Sequence, residues 1–214
     1  MKIENVFSKE DLGRIEAAVA LAEERAPGEI VPYIVGRSDR YPEASWRGAA
    51  IGGAFGAAVW AVLSFGEWAI DPTLPAIYTL GGAAAGFLLA RLAPIRRRLA
   101  GRRSLDRRVE QRARAAFLER EVFATTGRRG VLLFVSVFER RAAVLADAGI
   151  PVRSDGETWT DVTHAIAAGL EAGRPGEAIS DAIARLGKIL KRVSDPDAGE
   201  TPDQLPNKPI TRDE

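Results

Sequence analysis

The chain has 214 residues, enough for one domain or one domain with an appendage. Thirty Lys and Arg stand against 29 Asp and Glu, a net charge of +1, which excludes a uniformly basic nucleic-acid coat and an acidic solvating protein. The absence of cysteine excludes disulfides, a thiol nucleophile and thiolate metal sites, and the single histidine excludes a multi-histidine metal centre.

Residues 1–26 are charged and helix-like, with no apolar signal-type region, so no secretory signal is expected. The spacing predicts a helix over 8–26: Ser8 caps it, Asp11 completes a capping box, and Leu12, Ile15, Val19 and Ala22 share one face. Pro27-Gly28 ends it, and Glu29 to Gly36 reads as a short strand in which Pro32 argues for an edge position or a bulge. Residues 48–66 and 72–90 follow, each 19 residues long without a charge and separated by 67–71 alone. A helix of that length spans about 28 Å, close to a hydrocarbon core of about 30 Å. The pair is read as a transmembrane helical hairpin. The alternative is a buried Ala-rich hairpin of a soluble protein. Against it stand the missing polar face, Trp46 and Trp68 bracketing the first segment, and a small-xxx-small pair in each arm, Gly52/Gly56 and Gly82/Gly86. Pro72 and Pro75 suit the first turn of the second helix.

Arginine placement gives an orientation. The inter-helix loop has none, residues 33–47 carry Arg37, Arg40 and Arg47, and residues 91–108 carry eight arginines against Asp106. The positive-inside bias then puts both flanks in the cytoplasm: two spans in the inner membrane, with both termini and the polar domain on the cytoplasmic side. The cluster Arg96, Arg97, Arg98, Arg102 and Arg103 serves as a topology signal, as a ligand for anionic lipid headgroups, or as a nucleic-acid patch. Beside a membrane span, lipid is preferred over nucleic acid, and no nucleic-acid partner is expected.

Arg102 to Thr125 reads as a charged helix with Val109, Ala113, Ala116 and Phe117 inward. After a turn at 127–130, Val131 to Val137 is apolar throughout and reads as a central buried strand. Phe138-Glu139-Arg140-Arg141 is a tight turn with a solvated tip, and Ala142 to Asp147 pairs back as a hairpin strand. Trp159 to Ala172 and Pro175 to Arg192 are amphipathic helices, the second with Ile179, Ile183, Leu186 and Leu190 on one face. Residues 194–214, with four prolines, read as an extended tail. The strand at 29–36 cannot be a domain alone and must join the sheet of 131–147. The organisation is therefore an α/β domain formed by residues 1–47 and 91–193, with the hairpin 48–90 inserted and the tail 194–214 appended. Both ends of the insertion then lie on one membrane side, as the arginines independently require.

No Walker loop, dinucleotide fingerprint, nucleophile elbow or HExxH helix occurs. His164 is a lone helix histidine and Trp159 a core or helix-start anchor. Asp147, at a strand end beside Gly149, is either a cation ligand or phosphatase acid acting with Glu29 at the end of the other strand, or an aspartate that caps a turn. A calcium site wants six or more oxygens, and these two carboxylates are the only candidates.

The ordered run Gly130-Val131-Leu132-Leu133, Glu139-Arg140 at a hairpin turn, Asp147-Ala148-Gly149-Ile150, Trp159, two helices and Leu205-Pro206-Asn207 resembles the TPM-domain family. The resemblance covers residues 8–36 and 104–210. That family includes thylakoid-lumen proteins of photosystem II repair and bacterial membrane-anchored proteins. The resemblance implies a small αβα sandwich with a mixed sheet of about four strands. It also implies one of three activities seen among members: acid phosphatase, binding of divalent cations such as calcium or magnesium, or assembly and maintenance of membrane complexes. Bacterial members usually carry the domain outside the cytoplasm, whereas here it is read as cytoplasmic. The resulting expectation is a non-enzymatic, membrane-anchored interaction domain with a membrane-protein partner. The alternatives are a metal-assisted phosphatase using Asp147 and Glu29, and a homo-oligomer formed by self-association of the hairpin glycines.

Overall fold

A computed structural model of the chain describes residues 2–26, 28–65, 71, 73–150, 158–193 and 205–213. The chain forms two compact units, one from residues 1–38 and 106–214, the other from residues 39–105.

The first unit is an α/β fold. Helix α1, Lys9–Glu23, starts where the sequence predicts. Ser8 Oγ accepts the Asp11 N–H at 3.0 Å and the Asp11 carboxylate accepts the Ser8 N–H at 3.0 Å, so two amides that the helix cannot satisfy are capped reciprocally. Strand β1, Glu29–Val35, runs parallel to β2, Gly130–Ser136, in unbroken register from Glu29↔Gly130 to Val35↔Ser136. A turn with Arg140 in the left-handed region (φ 52°) leads into β3, Arg141–Ala146, antiparallel to β2. The fourth strand, β4, is Ile210–Arg212, inside the segment read as tail. It pairs parallel with Tyr33–Val35, giving a mixed sheet in the order β3-β2-β1-β4.

Both faces of the central strands are covered, which is why β1 and β2 are apolar without alternation. On one face Ile30, Ile34, Val131 and Leu133 pack with Ile15 and Val19 of α1, with Val162 and Ile166, and with Ile179, Ile183 and Leu186. The last five belong to α6, Trp159–Glu171, and α7, Pro175–Val193. On the other face Val31, Tyr33, Leu132 and Phe134 meet Val109, Ala113 and Ala116. These three lie on α5, Arg102–Glu119. The αβα arrangement and the mixed four-stranded sheet are as expected. The edge position expected for Pro32 is not: β1 is an interior strand and its pairing with β2 has no bulge. Pairing with β4 begins one residue beyond Pro32, so β1 is flanked on one side only at the proline itself.

The second unit holds α2, Pro42–Leu63, α3, Leu74–Leu89, and α4, Ala93–Ala100, with the start of α5. α2 begins six residues before the uncharged segment, with Pro42 in its first turn after Tyr41 in the left-handed region. α2 and α3 form the helical hairpin. Residues 66–70 and Pro72, which include Trp68 and most of the inter-helix loop, lie outside the described residues.

Candidate functional site

Parallel register brings the two predicted carboxylates to one end of the sheet. Glu29 is the register partner of Gly130, and the Asp147 N–H donates to the Gly130 carbonyl at 2.9 Å, so the two acids flank Gly130 at the amino ends of β1 and β2. Both are buried, Glu29 to 3% exposure and Asp147 to 6%. Each is occupied by the protein itself. Arg128 donates to both Asp147 oxygens, Nε at 3.0 Å and Nη2 at 2.8 Å, and the Ala148 N–H donates at 2.7 Å. Burial opposes the charge on Asp147, but the Arg128 guanidinium and the Ala148 amide together prevail and hold its carboxyl below the usual aspartate value. Glu29 Oε2 accepts the Leu205 N–H at 2.9 Å and so fastens the C-terminal segment before β4.

This donor set does not fit a calcium or magnesium ion. A guanidinium already sits on both Asp147 oxygens, and among the described residues no group of three or more His, Asp or Glu is assembled. The geometry is that of the turn-capping alternative: Asp147 closes the turn to Ile150, whose N–H donates back to its carbonyl at 3.0 Å. The turn is tight because Gly149 lies against the Gly127 and Arg128 carbonyls, where a Cβ would collide.

At the opposite end of the sheet lies a polar cluster that the sequence reading missed. Glu139, expected on a solvated tip, is 2% exposed, and Ser136 is fully buried. Ser136 donates its hydroxyl to Glu139, Ser38 Oγ donates to Ser136 Oγ at 2.9 Å, and the Ser38 N–H donates to Glu139 Oε1 at 2.8 Å. Two residues on, Arg141 Nε donates to Asp106 at 2.8 Å. One signal was available: Ser136 interrupts the apolar run VLLFVSV, and a buried hydroxyl needs a partner nearby. His164 is exposed, and Trp159 packs partly buried against the core as an anchor for α6.

In the second unit the hairpin glycines meet in cis. Gly48, Gly52 and Gly56 of α2 lie against Gly86, Gly82 and Tyr78 of α3, and a Cβ at Gly52, Gly56, Gly82 or Gly86 would collide with a carbonyl of the facing helix. Trp46 packs edge-on to Phe87 with ring centroids 5.7 Å apart. The large apolar side chains point away from this contact: Ile51, Phe55, Val62, Leu63, Ile77, Leu80, Leu88 and Leu89 are all exposed, Phe55 to 70%. Of the five singled-out arginines, Arg96 donates to the Ala90 carbonyl at 3.4 Å, Arg97 is partly buried, and Arg98, Arg102 and Arg103 are exposed. Arg47, from α2, donates to the Leu99 and Ala100 carbonyls at 2.6 and 3.3 Å.

No protein-family model and no curated protein matches the sequence. Among solved structures, the chain is similar to the NMR structure of the BA42 protein from the psychrophilic bacterium Bizionia argentinensis. The TM-score is 0.58 at 20% identity, over 98% of both chains. At that identity the likeness is one of fold.

Proposed function

We propose that this protein is a membrane-anchored, TPM-like interaction domain that holds or helps assemble a membrane-protein partner, with the α2–α3 hairpin as its anchor. The observation that carries the anchor is the inverted composition of the hairpin. Glycines fill the contact between the helices while the large apolar side chains face outward. A water-soluble helix pair would do the opposite, because apolar area is stabilised by leaving water. In lipid the pattern is favourable: close backbone approach holds the helices together and the outer side chains meet acyl chains.

Among the described residues α2 alone is by itself long and apolar enough to cross a membrane. α3 has 16 residues, about 24 Å at 1.5 Å per residue. It is followed by α4 at a bend of 102°. Three consecutive arginines in α4 cannot lie in hydrocarbon, at about 2.5–3.5 kcal/mol each, so we read α3 as the second span and α4 as lying outside it.

The interaction reading is supported by the occupied state of Asp147 and Glu29, which leaves the first unit a complete fold with its buried acids engaged internally. Affinity capture of the full chain from detergent-solubilised membranes tests it. A membrane protein recovered reproducibly is the expected result. Hydrolysis of phosphomonoesters dependent on calcium or magnesium, with no recovered partner, would overturn it in favour of the phosphatase reading.

A further inference from the structure

We propose that α4 lies flat on the membrane surface and, with the first turn of α5, binds the headgroups of anionic phospholipids. Arg98, Arg102 and Arg103 are the phosphate ligands, and Arg47 and Arg96 are positioning residues that hold the helix in place. The inference rests on the membrane reading of the hairpin and assigns the arginines different tasks.

The 102° bend between α3 and α4 turns the chain from the direction of the span into the plane of the surface. The spacing of Ile95 and Leu99 puts them on one stripe of α4, which Leu92 just before the helix adjoins, with Arg96, Arg97 and Arg98 around the rest of its circumference. A short helix of this kind settles with its apolar stripe toward acyl chains and its cations at headgroup level. Its position is fixed from both ends. Arg96 donates to the carbonyl of Ala90, the residue that closes α3, and Arg47 reaches from α2 to cap the last two carbonyls of α4. Both guanidiniums are thereby turned to backbone. Arg98, Arg102 and Arg103 stay exposed and close in sequence, joined through Gly101, whose φ of 82° lets the chain change direction between α4 and α5. Guanidiniums pair with phosphate bidentately, and clustered basic residues beside a span favour anionic over zwitterionic lipid.

The test uses the full chain in neutral detergent, titrated with phosphatidylglycerol, phosphatidylcholine or glycerol phosphate while its thermal midpoint is followed. Phosphatidylglycerol should act at a concentration about tenfold below phosphatidylcholine, and added salt should reduce the difference. The triple variant Arg98→Gln/Arg102→Gln/Arg103→Gln should lose that preference while keeping its midpoint in phosphatidylcholine. Equal response to the two lipids overturns the proposal, as does glycerol phosphate acting as well as phosphatidylglycerol. Alkaline extraction of native membranes separates the two readings. A chain that stays with the membrane but shows no lipid preference refutes the headgroup site alone. A chain released into solution refutes the anchor, and the headgroup site with it.

Discussion

Asp147 and Glu139 are buried acids at opposite ends of one sheet, and they differ in what holds them. Asp147 is paired with an arginine that stands in solvent, so the net gain from the pair is modest. Asp147→Asn should cost about 1 kcal/mol at neutral pH. The sign with pH follows from the direction of its shift. A carboxyl held below its ordinary value adds stability that is complete above the unfolded value of about 3.9 and fades as pH falls through the folded one. Wild-type and Asp147→Asn midpoints should therefore differ at pH 7 and converge in acid. A gap that persists in strong acid would mean the side chain acts by packing. Glu139 instead accepts from two partners in the interior, the Ser38 amide and the Ser136 hydroxyl. Glu139→Ala strands a buried hydroxyl, and the cost expected is larger, about 1–3 kcal/mol. Hydrogen exchange of the β2 amides reads both variants on the sheet itself, and Glu139→Ala should lose more protection than Asp147→Asn.

Among the elements, the hairpin gives the sharpest contrast between two glycines of one helix. Gly82 lies against the α2 backbone, whereas a Cβ at Gly81 meets nothing within 4 Å. Gly82→Leu should force α2 and α3 apart and lower the midpoint in detergent, and Gly81→Leu should leave it unchanged. Because the same glycines close the hairpin on itself, Gly52→Leu should act in the same way on a single chain. A change of oligomeric state without loss of hairpin stability would instead favour self-association. Elements such as α1, β2 and α7 were legible in the sequence because cap residues and apolar period mark them, as Ser8 with Asp11 marks the start of α1. β4 was not. It has three residues, of which only Ile210 is apolar, and it exists because β1 offers a free edge beyond Pro32. Such an element is specified by its partner, and no local pattern reveals it. The carboxylate pair was legible as a location, since Glu29 opens one strand and Asp147 follows another. Its occupancy was not, because Arg128 and Leu205 arrive from separate loops.

For the molecule as a whole, the question is how a sheet tolerates 67 residues inserted after its first strand. The β2–β3 turn supplies the means, since it grips both ends of the interruption. Glu139 holds the Ser38 amide where the chain leaves the α/β unit, and Arg141 holds Asp106 where it returns. Both contacts start from the same turn, so the two points can be no farther apart than two side chains and a few residues allow. A linker of about eight residues, reaching at most about 26 Å, should join them. Replacing residues 39–105 by such a Gly-Ser linker should give a soluble chain in which β1 and β2 amides keep their protection, because each face of the sheet retains its own helices. Membrane association should vanish in the same variant. If protection collapses along with it, the insertion contributes to folding the sheet as well as to the proposed anchor. Glu139→Ala in the shortened chain should still cost about 1–3 kcal/mol, since the Ser136 hydroxyl it strands lies within the sheet unit and not in the hairpin.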